Sequence, residues 1–333
     1  MTGKRIIAIS CGDPGGIGPE VILAALPVLS KVARILIVGE KRYFDRAAGR
    51  VDIPASTSPD EAVSKLASSS PILLEIKTPG NAPVGAPSKE GGAASITYVE
   101  AALDVVISGK AHALVTGPIS KEAVALAGYS YPGHTELLGE KTGAKPVMML
   151  AGKGLRFALV TMHKALRDVP GSLSEGEIVR VAVTTAEGLR RYFGIEEPRL
   201  AVMGLNPHAS DGGRFGDEEK RIIAPAVERI ASLGWNVQGP LAPDTVPFRM
   251  LRGDFDVAVA MYHEQAALPV KTLAFDEGVN ITLGLPIVRT SPDHGTAFDI
   301  AGKHKASPES MIQAVKTAAA MVRNSPTSPC LHG

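Results

Sequence analysis

The chain is poor in the features that send a protein out of the cell or onto a large charged partner. Of its 333 residues only two are cysteine, Cys11 beside the first apolar run and Cys330 near the end. They show no CxxC spacing and form no disulfide framework, as in a reducing compartment. The first ten residues carry two cations and then an apolar run too short for a signal-peptide core or a membrane span, so a cytoplasmic, membrane-free protein is expected. Neither sign of charge is in excess, with 35 Lys+Arg against 34 Asp+Glu. That balance argues against general nucleic-acid binding, and any phosphate-bearing partner is expected to be small and locally held. Internal repeats, low-complexity blocks, HExxH, Walker A, GxSxG and EF-hand patterns are all missing.

What is present is an α/β rhythm. The length suits two packed domains or one domain with a deep cleft. Short β-branched runs at 5–10, 34–38, 113–116, 147–150, 156–161, 199–204 and 256–261 read as buried strands of a parallel sheet. Helical periodicity fills 19–29, 95–108, 174–193, 217–233 and 307–323, and the Ser- and Pro-rich tail after Asn324 is expected to fray. Residues 52–92 read as a looping excursion with one strand inside it. No linker separates the halves, which suits a chain that crosses between domains and returns.

In open α/β sheets ligands collect beyond the carboxyl ends of the strands. There the sequence places Met162-His163-Lys164, Asn206-Pro207-His208 and Tyr262-His263-Glu264. A single strand-end histidine is more often structural, but three at one edge suit a zinc, cobalt or similar divalent ion with positions left for substrate oxygens. His134 and Thr135 stand at a helix start, where free N–H groups attract anions or a threonine simply caps. Lys271, Asn280 and Arg289 form a set suited to phosphate or carboxylate, with scattered surface charge as the plainer account. Asp244, boxed by prolines, is a further metal ligand or a turn residue. Asp217 caps the helix after the glycines of 211–217, which allow a close backbone approach to ligand or merely a flexible loop. The glycine-rich opening of residues 12–20 follows a strand and precedes a helix, with Glu40 ending the next strand. Its spacing does not fit GxGxxG, so a Rossmann nucleotide site is rejected.

Taken in order, GDPGGIGPE, GPISKEA, YPGHTELL, GLNPHASDGGRFG, MYHEQ and DEGVNITLGLPIVRTSPDHGTAFDIAG resemble the 4-hydroxythreonine-4-phosphate dehydrogenase family of vitamin B6 biosynthesis, over about residues 6–307. The block at 293–302 is also similar to the nucleotide loop of isocitrate and isopropylmalate dehydrogenases, which bind NAD(P) without the Rossmann fingerprint. The resemblance implies two α/β/α domains flanking a cleft: residues 1–118 with 272–333, carrying the nucleotide loop, and residues 119–271, carrying the metal ligands and dimer contacts. It implies His163, His208 and His263 as ligands of zinc, cobalt or magnesium. His134, Thr135, Lys271, Asn280 and Arg289 become substrate contacts, and His294, Gly295, Thr296, Ala297 and Asp299 contacts to NAD or NADP. It further implies a homodimer with a shared active site, the ligand matching His263 coming from the partner subunit.

The activity so implied is oxidation of 4-hydroxythreonine 4-phosphate at C3 followed by decarboxylation, with Asp244 and Lys271 as candidate bases. Glu264, Ala266 and Pro247 depart from the common family pattern. They leave room for a 4-phosphothreonate or 4-phosphoerythronate substrate. A metal-dependent hydrolase or aldolase would need the same histidines but no nucleotide, and a non-catalytic metabolite binder would have little use for them.

Overall fold

A computed structural model describes residues 4–49, 52–67, 70–131 and 133–325; the tail from 326 on, with Cys330, lies outside them. In chain order the strands are β1 (Ile6–Ser10), β2 (Arg34–Gly39), β3 (Ala55–Ser56), β4 (Ile72–Glu75), β5 (Ala113–Thr116), β6 (Val147–Gly152), β7 (Leu155–Leu159), β8 (Leu200–Met203), β9 (Val237–Leu241), β10 (Val257–Ala260), β11 (Val279–Leu283) and β12 (Val288–Pro292). The α-helices are α1 (Gly18–Val32), α2 (Lys41–Ala48), α3 (Pro59–Lys65), α4 (Lys89–Ile107), α5 (Lys121–Leu126), α6 (His134–Thr142), α7 (Glu175–Phe193), α8 (Ala224–Ser232), α9 (Val246–Leu251), α10 (His263–Ala274) and α11 (Glu309–Asn324).

Two compact units result, Met1–Ala144 with Leu285–Gly333, and Lys145–Gly284. These borders differ from the expected 118/119 and 271/272 for a packing reason. Leu137 and Leu138 of α6 share a core with Ile6, Leu36 and Leu114, so α5 and α6 stay with the first unit. β11 pairs antiparallel with β6 and stays with the second.

In the first unit the strands run β3-β4-β2-β1-β5-β12, all parallel. All five residues of β1 are buried, as in a sheet covered on both faces. α4 starts at Lys89, six residues before the sequence pattern suggested, because Ser88 accepts from Gly91 N at 3.0 Å and caps it. A side chain at Gly92 would put its Cβ 1.9 Å from Ala123 O, so glycine there lets α4 and α5 touch. Residues 52–92 hold more than the one expected strand: β3 and α3 precede β4, and Ser58 caps α3 through Glu61 N.

The second unit corrects the expectation of a wholly parallel sheet. Its order is β11-β6-β7-β10-β8-β9, with β6 antiparallel to both β11 and β7 and the rest parallel. The β6–β7 link is Lys153-Gly154, with φ of 45° and 88°. Positive φ at both central residues is the mark of a tight hairpin turn whose twist matches its strands. The expected helix 217–233 is instead a π-helical turn, Glu219–Ile223, followed by α8. Pro225 has no N–H to give to the carbonyl of residue 221, and the chain widens just ahead of it. Asp217 does not cap this segment through its side chain, which pairs with Arg221 on the surface. Among the described residues no helix is long and apolar enough to cross a membrane.

Candidate active site

Strands β7, β10 and β8 lie side by side and parallel, so their carboxyl ends share one edge of the second unit. His163, His263 and His208 follow these three ends. The β7–β10 ladder runs past the strands, with Val160 N donating to Ala260 O at 2.9 Å and Thr161 N to Met261 O at 3.2 Å. The Thr161 hydroxyl reinforces the rung, donating to the same Met261 oxygen at 2.7 Å. Two residues beyond this rung on each strand stand His163 and His263, ring centroids 6.0 Å apart and planes inclined by 32°. Two imidazoles on one ion, with metal–nitrogen bonds of about 2.0–2.1 Å, have ring centres roughly 5 Å apart. The pair therefore fits a shared ion after a small side-chain adjustment.

His263 opens α10, and its Nδ1 lies 3.1 Å from Glu264 Oε1, so the departure from aspartate at 264 still provides a carboxylate partner for the ring. The resemblance gave His263 to a partner subunit's ion; here it stands beside His163 of its own chain. His208 is carried on a left-handed turn that keeps positive φ through Gly212. It does not join the pair: among the described residues no group of three His, Cys, Asp or Glu side chains is gathered for an ion.

In the first unit, His134 and Thr135 are the first two residues of α6, with Gly133 at the cap. Arg289 projects from β12, beside β5, and is 1% exposed. It donates from Nη2 to Thr116 Oγ1 at 2.6 Å. Burial pulls the guanidinium down to about 9, against the attraction of Glu136. Burial and then the Arg289 charge hold His134 well below the ordinary histidine range, so its ring is neutral. Its Nε2 is sealed from solvent with no hydrogen-bond partner. A buried cation, a helix N-terminus and a neutral imidazole lacking a partner make an anion-binding arrangement.

Loop 293–302 leaves β12 in the same unit. His294 Nδ1 lies 3.0 Å from Gly295 O, and its Nε2 is buried and unpartnered. Ala297 adopts φ 42°, Asp299 is exposed, and Thr296 O accepts from Ile17 N at 3.0 Å. The glycine-rich opening thus has a task that its rejected fingerprint did not reveal. A Cβ on Gly16 would fall 2.8 Å from Thr296 Cβ, and Glu20 accepts from the backbone N–H groups of Gly302 and His304. Glu40 is committed elsewhere, accepting from Arg42 and from Thr78 N and Oγ1.

In the second unit, Asn280 lies on β11 with its Oδ1 buried and unpartnered, and Lys271 lies on α10, 5.9 Å from the Phe275 ring centroid. Asp244 is exposed in the turn closed by Thr245 N to Ala242 O. Pro247 sits in the first turn of α9, where a missing N–H costs nothing, and so begins a helix rather than interrupting one. Sequence reasoning missed Glu219 and Gln265. Both are buried polar residues on helical segments, and only their hydrogen bonds to strand-end backbone reveal them.

The class of protein so defined is a two-unit α/β chain with imidazoles at the strand ends of one unit and, in the other, a buried arginine and a neutral imidazole at a helix N-terminus. Residues 31–318 match the model of the family described as Pyridoxal phosphate biosynthetic protein PdxA, and the chain belongs to that family. It is 45% identical over 324 residues to a 4-hydroxythreonine-4-phosphate dehydrogenase of Caulobacter vibrioides, covering 95% of this chain and 97% of that one. The crystal structure of a 4-hydroxythreonine-4-phosphate dehydrogenase from Klebsiella pneumoniae superposes with a TM-score of 0.86 at 38% identity, covering 97% of this chain and 99% of that one. A terephthalate 1,2-cis-dihydrodiol dehydrogenase from Burkholderia xenovorans is more distant, with a TM-score of 0.64 at 28% identity, covering 94% and 98%.

Proposed function

We propose that this chain is an NAD(P)-dependent dehydrogenase that oxidises 4-phosphooxy-L-threonine at C3 and releases CO2, giving 3-amino-2-oxopropyl phosphate for pyridoxal phosphate synthesis. The observation that carries the reading is the adjacency of β7, β10 and β8, each ending in a histidine. His163, His208 and His263 are the proposed holders of a divalent cation. When bound, such an ion supplies Lewis acidity that favours loss of the hydroxyl proton and accommodates negative charge as CO2 departs.

The chain's own groups do the rest. Arg289, Thr135 and the α6 N-terminus bind anionic oxygens in the first unit, and neutral His134 offers a hydrogen bond without adding charge. Lys271 and Asn280 are the proposed substrate contacts of the second unit. Lys271 is preferred over Asp244 as proton carrier, because it shares α10 with His263 whereas Asp244 stands in solvent. His294, Gly295, Thr296, Ala297 and Asp299 are the proposed nucleotide contacts, on a loop already braced by Glu20. The hydride leaves C3 for the nicotinamide, the hydroxyl proton goes to the base, and the resulting ketone lies beta to the carboxylate; as CO2 leaves, the bond pair stays on C2, which takes a proton back from the base.

A homodimer is supported by the apolar surface around α10, where Leu268 and Phe275 are 66% and 74% exposed. A cytoplasmic location accords with Cys11 being a free, buried thiol. The experiment is a set of assays on metal-stripped protein. Each contains 4-phosphooxy-L-threonine, 4-phospho-D-threonate or 4-phospho-D-erythronate with NAD+ or NADP+, followed at the reduced-nicotinamide absorbance before and after Zn2+, Co2+ or Mg2+. Turnover restricted to the hydroxy acids reassigns the substrate, and absence of reduced nucleotide in every combination refutes a dehydrogenase.

A further inference from the structure

We propose that Glu219 is a positioning residue that sets the course of the left-handed turn carrying His208 by clamping its root; this rests on the reading of His208 as a cation ligand. The turn is unusual. His208, Ala209, Ser210 and Asp211 all have positive φ, at 55°, 51°, 70° and 44°, before Gly212 at 70°. Each non-glycine residue in that region brings its Cβ against backbone oxygen, so a run of four persists only where other contacts over-determine it. Packing does so only in part: Ser210 is buried and Ala209 half-buried, while His208 and residues 211–215 are exposed.

The contacts lie at the root. Glu219, 4% exposed, accepts from Leu205 N at 2.8 Å and Asn206 N at 2.7 Å through Oε1, and from Asn206 Nδ2 at 2.9 Å through Oε2. Gly204 makes room: a Cβ there would stand 3.1 Å from Glu219 Oε1 and 3.0 Å from Ala209 Cα. The carboxylate comes from the first residue of the π turn, whose widened register faces it to the strand end. One buried acceptor group thus fixes two consecutive amides and a side chain just ahead of His208. An amide cannot replace it. Glu218 Oε2 also accepts from Asn206 Nδ2 and keeps that amide from flipping, so whichever way glutamine turned, an NH2 would face either the two backbone N–H groups or the Asn206 NH2.

The test is Co2+ titration of metal-stripped, full-length protein by calorimetry, with melting curves run on each variant. Glu219→Gln is expected to weaken Co2+ binding by about 10–100-fold, the range for loss of a group that orients a ligand. Glu218→Gln, which touches only Asn206 Nδ2, is expected to stay within about twofold. Adding Ala209→Gly to Glu219→Gln lowers the cost of the left-handed turn and is expected to recover most of the affinity, a rescue that a general stability role would not give. Should Glu219→Gln fail to fold, Ala209→Val in the intact background penalises the same turn and is expected to weaken Co2+ binding. Wild-type affinity in Glu219→Gln, in a protein where His208→Ala has lost the ion, overturns the clamp. So does a lack of rescue by glycine, or an unchanged affinity in Ala209→Val. Unchanged binding in His208→Ala instead overturns the ligand reading beneath it.

Discussion

Gln265 donates from its amide nitrogen to Gly204 O at 2.8 Å while its amide oxygen accepts from Met261 N at 2.8 Å. One buried side chain therefore ties the end of β10, two residues before His263, to the end of β8, where the His208 turn begins. Gln265→Leu keeps the volume and leaves a buried N–H and C=O unsatisfied. It is expected to cost on the order of 2–4 kcal/mol of stability in urea unfolding. Gln265→Glu keeps the acceptor but donates to Gly204 O only when protonated, so its deficit relative to wild type should be larger at pH 8 than at pH 5. A deficit independent of pH would show that the Gly204 bond is unimportant.

Asp13 provides a stability signal in the first unit. Its carboxyl is 1% exposed, Oδ1 accepts from Gly15 N at 2.9 Å, and Oδ2 has no partner. Burial raises it from 3.8 to about 6, against the Gly15 N–H and the Arg46 charge. The folded state therefore holds the proton more tightly, and this residue's contribution falls as pH rises from about 4 to about 6, then levels. Asp13→Asn is expected to gain up to about 3 kcal/mol over wild type at pH 7 and nothing at pH 4, in paired denaturant titrations. An equal difference at both pH values would refute the buried-charge account.

His134 predicts the opposite slope. Its folded-state affinity for a proton is depressed below the usual 6.5 by burial and by Arg289. Unfolded chains then bind the proton first, and stability is lost as pH falls below 6.5. His134→Gln removes that loss. Between pH 7 and pH 5 the variant is expected to lose less stability than wild type, and parallel curves would show that the imidazole is not held neutral.

Much of this was legible because polar residues directly after a buried apolar run announce a strand end, as with Thr161-Met162-His163 and Met261-Tyr262-His263. β11 and β12 were not read as strands, since Asn280 and Arg289 interrupt their apolar runs, and only the bond from Arg289 to Thr116, far off in the chain, accounts for the buried cation. The left-handed turn left no trace either: Ala209, Ser210 and Asp211 carry no local preference for it, and its support comes from Glu219, ten residues beyond Ala209. Glu219 and Gln265 have the look of surface helix residues. Only strand adjacency, which the order of elements along the chain does not reveal, turns them inward.

Arg289 offers the sharpest test of the anion reading. The guanidinium is anchored to Thr116 Oγ1 and is drawn down to about 9 by burial. An anion beside it restores the favour for charge that burial removed, so Arg289→Met is expected to lose about 1.5–3 kcal/mol of substrate binding, or roughly 10–150-fold. Calorimetric titration of 4-phosphooxy-L-threonine without nucleotide measures this directly. If the two proteins bind the phosphorylated acid equally at pH 7, the buried cation serves the fold alone and the phosphate must be held elsewhere.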